Sequence, residues 1–394
     1  MSAQKPVIHI QSNWNKVLLF PHQEVWICAK YLNQRGIHEM IKTSVNKNER
    51  TLQISISPTY QMISLSGLGL VLKHNASGLI VAFVPETKAH KVHNRAVLSV
   101  AAAKSALVVS SCEAHKLFVW DSRTNEQLLD LRGHGGPIYK CRFFPSGIVV
   151  LSAGSDGSCK IFCAKSGINP VTLKGHTMSV ADTCIVDRGR NVISVSKDGS
   201  AKLWDVGESK CLGNVLQAQG PINCCALAET SDEITVENER EVATGNKLLV
   251  VGCENGLVIC AHVAKRAEVF RKQLSSACNA CVIIDQTIIV GGSDGKITLL
   301  NLKDGSVTRE IYESESSILS IAALPNQLFI VGRQDGNCAV LSLQEAWYST
   351  RVQLTGPDYD GIRDIAFNEK WIFTACRDSY IRKYDFNQIN VHFK

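Results

Sequence analysis

The strongest constraint on this 394-residue chain is a turn that recurs at nearly constant spacing. Its clearest copy, Asp198-Gly199, sits inside KGHTMSVADTCIVDRGRNVISVSKDGSAKLWD, residues 174–205. Equivalent positions are Ala114, Asp156, Asn255, Asp294, Asp335 and Asp378, and the successive gaps are 42, 42, 57, 39, 41 and 43 residues. One repeat accounts for all six intervals once a single insertion of roughly 15 residues is placed in the third. Short β-branched runs separated by turns cannot bury both faces within one such unit. Seven units can, by covering each other around a closed ring.

Within the copy at 174–205, Gly175-His176 precedes an apolar segment at 180–185, a second runs over 192–195, and a third ends in Trp204-Asp205. A Gly-His before the first strand and a Trp-Asp closing the third are the signature of a WD-type propeller repeat. The expected fold is all-β: a seven-bladed WD-repeat propeller over 79–394, preceded by a small β-rich N-terminal module over 1–78. The copies are uneven. The Trp204 position is held elsewhere by Trp120, Phe162, Ala261, Leu300, Leu341 and Tyr384, and the Gly-His pair is clear only at Gly133-His134 and Gly175-His176. In the intact copy, His176, Ser194, Asp198 and Trp204 are expected to form one buried hydrogen-bond chain from the loop before the first strand to the turn after the second. The same letters suit a catalytic triad, but buried polar groups need partners and a blade-spanning network supplies them.

The first 78 residues do not follow the repeat. The run TLQISISPTYQMISL alternates as one or two strands broken at Pro58. Gly67-Leu68-Gly69 lacks the third glycine and following helix of a dinucleotide fingerprint and reads as a turn. The last repeat nearly exhausts the chain, so the ring is expected to close through a distant strand near Ile80–Val84, with 389–393 as the competitor. The inserted segment AETSDEITVENEREVATGN, 228–246, carries Glu229, Asp232, Glu233, Glu237, Glu239 and Glu241 against Arg240 alone. Alternating strand direction puts it on the face opposite the Asp-Gly turns, where a solvated, mobile loop is the simpler reading and a docking element the sharper one.

With 45% apolar and 20% charged residues the chain can bury a large core. No run reaches the length of a membrane span and the amino terminus lacks a signal-peptide pattern, so a cytoplasmic protein is expected, with the nucleus as a second location. Fifteen scattered cysteines, mostly in strand-like runs, read as reduced thiols used as small core residues. The formal charge of +6 is uneven: residues 1–95 hold eleven Lys or Arg against four Glu and no Asp, which is +7, leaving −1 for the remainder. A near-neutral propeller does not suggest a nucleic-acid clamp.

Three motifs invite a chemical reading. Gly291-Gly292-Ser293-Asp294-Gly295 spells a nucleophile elbow, yet it is the repeat's own turn and no strand-to-helix context surrounds it. Cys278-Asn279-Ala280-Cys281 spells C-x-x-C, but residues three apart on a strand face opposite sides. Neither supports an enzyme, and no cofactor or metal is expected. Trp120-Asp121-Ser122-Arg123 resembles the docking box of propeller substrate receptors for cullin-type ubiquitin ligases, which is the alternative reading of function.

Several segments resemble the proteasomal ATPase-associated factor family, WD-repeat assembly chaperones of the proteasome regulatory particle. They are CRFFPSGIVVLSAGSDGSCKIF, DTCIVDRGRNVISVSKDGSAKLWDVGESKCLG, EREVATGNKLL and TACRDSYIRKYDF. IVDRGRN is not dictated by the repeat and is the most specific of them. The likeness is good from about residue 135 onward and poor over the first 95, and Ala114-His115 departs from the Asp-Gly turn. The resemblance implies a monomeric, non-catalytic scaffold. Its partner would be the C-terminal domain of a regulatory-particle ATPase subunit during base assembly, with association to the core particle delayed meanwhile. If the face bearing the turns does the binding, the residues just before each turn Asp are the candidates: Ser155, Lys197, Glu254, Ser293, Gln334 and Arg377.

Overall fold

Each repeat folds as a four-stranded antiparallel sheet whose second strand is sandwiched between neighbours. That strand is accordingly buried on both faces, as in Asn191–Ser196 and Lys247–Cys253, where every residue is buried. The computed structural model describes residues 5–46, 51–66, 69–231, 234–357 and 359–393. The seven blades span 97–130, 138–174, 180–217, 222–273, 278–311, 318–354 and 362–385, and are numbered 1 to 7 in that order. Their first strands line the axis. Each contacts the next, and Ile362–Phe367 of blade 7 contacts Val97–Ala102 of blade 1, so the ring is closed.

Closure is made by an early segment, but not by the expected one. The outer edge of blade 7 is Lys88–His90, which pairs antiparallel with Ile381–Asp385. Ile80–Val84 instead runs parallel to Thr350–Leu354, the outer strand of blade 6, and pairs on its other side with Gly69–His74. The competitor at 389–393 is helical. Phe386–Asn390 is a short α-helix capped by Asp385, followed by a 3-10 turn at Val391–Phe393, and fully buried Ile389 packs under blades 6 and 7.

The N-terminal residues build two layers on the flank of blade 6. Val7–Ile10, Glu24–Lys30, Ile37–Val45 and Leu52–Ser55 form one antiparallel sheet. Tyr60–Ser66, Gly69–His74 and Ile80–Val84 extend the blade 6 sheet to seven strands. Ile8, Trp14, Val25, Ile27, Leu72 and Phe83 fill the space between. Trp14 Nε1 also donates to Thr355 Oγ1 at 3.2 Å, which ties the module to the end of blade 6. Gly67 and Leu68, read above as a turn, lie outside the described residues.

The acidic insertion leaves blade 4 between Ile222–Glu229 and Lys247–Cys253, as its position in the repeat requires. Its second half is not free. Arg240 ion-pairs with the fully buried Asp205 at 3.0 Å and with Glu208 at 3.2 Å. Asn191 of blade 3 grips its backbone from both sides, donating to Arg240 O at 2.9 Å and accepting from Val242 N at 2.7 Å. Glu241 pairs with Arg266 at 2.7 Å. A mobile loop is therefore the wrong description of residues 238–246. Asp232 and Glu233 lie outside the described residues.

Candidate partner-binding face

The Asp-Gly turns collect on one face of the ring, called the top. In blade 3, Gly199 has a φ of 80°, and a Cβ there would meet the carbonyls of Ala218 and Gly220 at 2.9 and 3.0 Å. Asp198 orders the turn by accepting from Ser200 N at 2.8 Å and Thr177 N at 3.0 Å. His176 Nδ1 lies 2.9 Å from Asp198 Oδ2, and its Nε2 lies 2.7 Å from Ser194 Oγ. Ser194 accepts in turn from Trp204 Nε1 at 2.8 Å. Burial pushes the His176 imidazole down despite the Asp198 carboxylate. Burial pushes Asp198 up, but the hydrogen bonds from Ser200, His176 and Thr177 outweigh it and hold the carboxyl at about 2. The His176 side chain is 1% exposed, so no substrate can reach this group.

Blade 2 repeats the arrangement without the indole: His134 lies 2.9 Å from Asp156 and 2.8 Å from Ser152. Blade 1 keeps the opposite half. His93 Nε2 meets Ser110 Oγ at 2.8 Å and Trp120 Nε1 donates to it at 3.1 Å, but Ala114 replaces the carboxylate. Buried His93 Nδ1 is left without a partner. The sequence reading missed His93 because no glycine precedes it.

The residue before each turn is fixed by one recurring bond. The backbone N–H groups of Ser155, Lys197, Glu254, Ser293, Gln334 and Arg377 donate to the carbonyls of Pro137, Ser179, Pro221, Ala277, Ser317 and Gly361, each just before an inner strand. Glu113 does the same to Ala96 in blade 1, so a seventh position belongs to this set and was overlooked because its turn lacks Asp. The six candidates therefore share a face, but only three share a site. Lys197, Glu254 and Ser293 line a depression of about 430 Å³ over blades 3 to 5, together with Asn223 and Asn279. Lys197 Nζ donates to Glu254 Oε2 at 2.9 Å and to Asn223 Oδ1 at 2.5 Å. Ser155, Gln334 and Arg377 lie outside that depression, and Arg377 is held by Asp360 at 2.9 Å.

Every inner strand carries a β-bulge near its start, and the bulged residues Leu98, Tyr139, Ala181, Asn223, Asn279, Leu319 and Arg363 line an axial channel of about 540 Å³. A bulge re-aims a side chain without ending the strand, which is how one position per blade comes to face the axis. Two pairs of charges in the channel meet each other. Lys140 reaches across blade 1 to Asp364 at 2.8 Å, and Arg142 meets Asp182 at 3.0 Å. Asp364 also accepts from Ser99 Oγ at 2.5 Å and Val100 N at 3.1 Å, clasping blade 7 to blade 1.

The bulge at Asn279 also corrects the reading of Cys278 and Cys281. An extra residue resets the alternation, and both side chains pack against the same core cluster rather than on opposite faces. All fifteen cysteines are free thiols. On the bottom face, Arg123 of the W-D-x-R box folds back on Asp121, with Nη2 to Oδ2 at 2.7 Å and Nε to Oδ1 at 3.2 Å.

A family model described as WD domain, G-beta repeat, matches residues 125–163 and 168–205. The human protein Proteasomal ATPase-associated factor 1 is 31% identical, in an alignment that covers 97% of this chain and 99% of its own. The chain belongs to the proteasomal ATPase-associated factor family. The chicken protein of the same name is 29% identical over the same shares. A yeast protein, 26S proteasome regulatory subunit RPN14, is 32% identical over 42% of each chain. Likeness to the proteasomal ATPase-associated factors thus extends through the N-terminal module, where motif reading found little.

Proposed function

We propose that this chain is a non-catalytic assembly chaperone that binds ATPase subunits of the proteasome regulatory particle, through their C-terminal domain, and delays engagement of the core particle until the base is built. The observation that carries this reading is the nearly full-length likeness to a protein named for association with proteasomal ATPases. The geometry suits it. A closed ring offers a broad, preformed surface for a small domain, and the top face carries exposed, mixed-charge side chains above a buried tetrad. An interface built on such residues, of ordinary or small size, is compatible with later release. The chain is taken to act as a monomer in the cytoplasm, and in the nucleus as a second location.

The contact is assigned to the top depression at Lys197, Glu254 and Ser293. Native-gel fractionation of cell extract with mass spectrometry tests the function: the chain should migrate with free ATPases or partly built bases. Migration chiefly with finished, core-bound proteasome, or with no ATPase subunit, overturns the reading. The face is tested separately. Lys197→Glu should weaken binding to a purified ATPase C-terminal domain several-fold, and the affinity should fall with added salt because exposed charges are screened over roughly 8 Å at physiological ionic strength. Glu237→Gln with Glu239→Gln on the bottom insertion should leave binding intact. The opposite pattern would move the site to the bottom face.

A further inference from the structure

The channel wall holds a pair of thiols from two different blades. Cys184 lies on Val180–Val186 and Cys225 on Ile222–Glu229, neighbouring inner strands in contact along the axis. Their sulfurs are 3.3 Å apart, and both residues line the axial channel. A disulfide has an S–S length of about 2.0 Å, so each sulfur needs to move by well under an ångström in rotamer space to bond. The surroundings supply a cation. The Arg142 guanidinium interacts electrostatically with both thiols while its Nη2 holds Asp182. Its Nε–H is buried and has no acceptor. An unused cationic donor beside the two sulfurs is placed to hydrogen-bond the oxygen of an approaching peroxide.

We propose that Cys184 and Cys225 are a modification site: a dithiol that a hydroperoxide converts into a disulfide stapling blade 3 to blade 4. Cys184 is the attacking group. It is 7% exposed against 2% for Cys225, whose thiol burial pushes well up. The Cys184 thiolate attacks one peroxide oxygen, the O–O bond breaks, and the leaving oxygen departs as water after taking a proton. Cys184 is then a sulfenic acid. The Cys225 thiol attacks that sulfur, its proton passes to the departing hydroxyl as the S–S bond forms, and a second water leaves. Two thiols lose two electrons and one hydrogen peroxide is reduced to two waters. The staple ties the strands directly beneath the Lys197–Glu254 depression, since those residues follow the second strands of the same two blades. The site does not depend on which partner the top face binds.

Two other features of the molecule serve as internal comparisons. Cys163, at the bottom of blade 2, has its thiol lowered by hydrogen bonds from Ser166. It marks how fast an activated single thiol oxidises. Cys224, one blade further on, interacts electrostatically with the thiol of Cys281. The full-length reduced protein is treated with hydrogen peroxide, alkylated and mapped by mass spectrometry without reduction. The Cys184–Cys225 linked peptide is expected to be the first disulfide to appear, several-fold ahead of Cys224–Cys281, and to vanish with dithiothreitol. Cys225→Ser, checked for native circular dichroism, should accumulate a sulfenic acid at Cys184 that a dimedone probe captures. Cys184 and Cys225 remaining unlinked after Cys163 is fully oxidised overturns the proposal. So does a linked pair that forms only in urea.

Discussion

His93 shows what the loss of one acceptor does to a repeat. Its ring stacks on Phe118 at a centroid distance of 4.8 Å and its Nε2 is satisfied by Ser110, yet Nδ1 faces no acceptor because Ala114 stands where blades 2 and 3 carry Asp. The next residue, His115, already adopts the left-handed φ of 60° that glycine takes in the intact turn. The backbone is therefore in place for a carboxylate. Ala114→Asp is expected to raise stability by about 1 kcal/mol, measured by urea unfolding at pH 7, and no gain would show that the turn geometry is not equivalent. Acid should act through the same histidine. Burial holds it at about 4, below its ordinary 6.5, so between those values the unfolded chain binds a proton that the folded chain refuses. This contribution is complete above pH 6.5 and drains away as the pH falls toward 4, by about 3 kcal/mol at most. His134 and His176 are shifted the same way by burial. Unfolding midpoints measured from pH 7.5 to 4.5 should fall steadily, and Ala114→Asp should flatten the slope. A flat profile in the parent chain would mean that the histidines are not buried neutral. His93 was hard to see in the sequence because the loop before it has no glycine. Only the ten-residue step from Ser110 to Trp120, matching Ser194 to Trp204, marks the blade as intact on that side.

At the scale of strands, the blade count and the site of the insertion were legible because a fixed period leaves few ways to place them. The seam was not. Ile80–Val84 is the stronger strand in the sequence, and its strength has a cause: it is paired on both edges and packed between two layers, so nearly all of it is buried. The strand that does close the ring, Lys88–His90, is polar and three residues long, since an outer edge half-exposed to solvent needs no apolar pattern. What it lacks in pairing is supplied by side chains. Arg382, 8% exposed, bonds Glu86 at 3.0 Å just before the closing strand, and also Asp378 at 2.5 Å. Glu86→Ala leaves that guanidinium with one carboxylate instead of two and is expected to cost about 2 kcal/mol. Thermal unfolding followed by tryptophan fluorescence checks this, and an unchanged midpoint would show that the seam does not depend on the pair. The bulges were equally invisible, because one added residue leaves no mark in composition. Their effect is large: they aim seven side chains at the axis and overturn the parity argument for Cys278 and Cys281.

Over the whole molecule, the ring and the N-terminal layers share one sheet. Removing residues 1–78 would bare the outer edge of Ile80–Val84, now paired with Gly69–His74, and the faces of Val81 and Phe83, now 2% and 0% exposed. A chain beginning at residue 79 is expected to aggregate, with size-exclusion chromatography as the check; a monomeric, cooperatively folding product would show the propeller to be self-sufficient. The fold class was readable from the repeat, whereas this sharing was not, because parallel pairing between segments so far apart leaves no local signal. It has a consequence for biosynthesis. Thr355 Oγ1 donates to Val84 O across 271 positions, and the strand it follows is the one that Ile80–Val84 must pair with. At roughly 5–20 residues per second on the ribosome, that partner emerges on the order of a quarter of a minute to a minute later. For that interval the apolar strand waits in the nascent chain with one edge bare, so the chain is expected to need holding factors until its last blades have been translated.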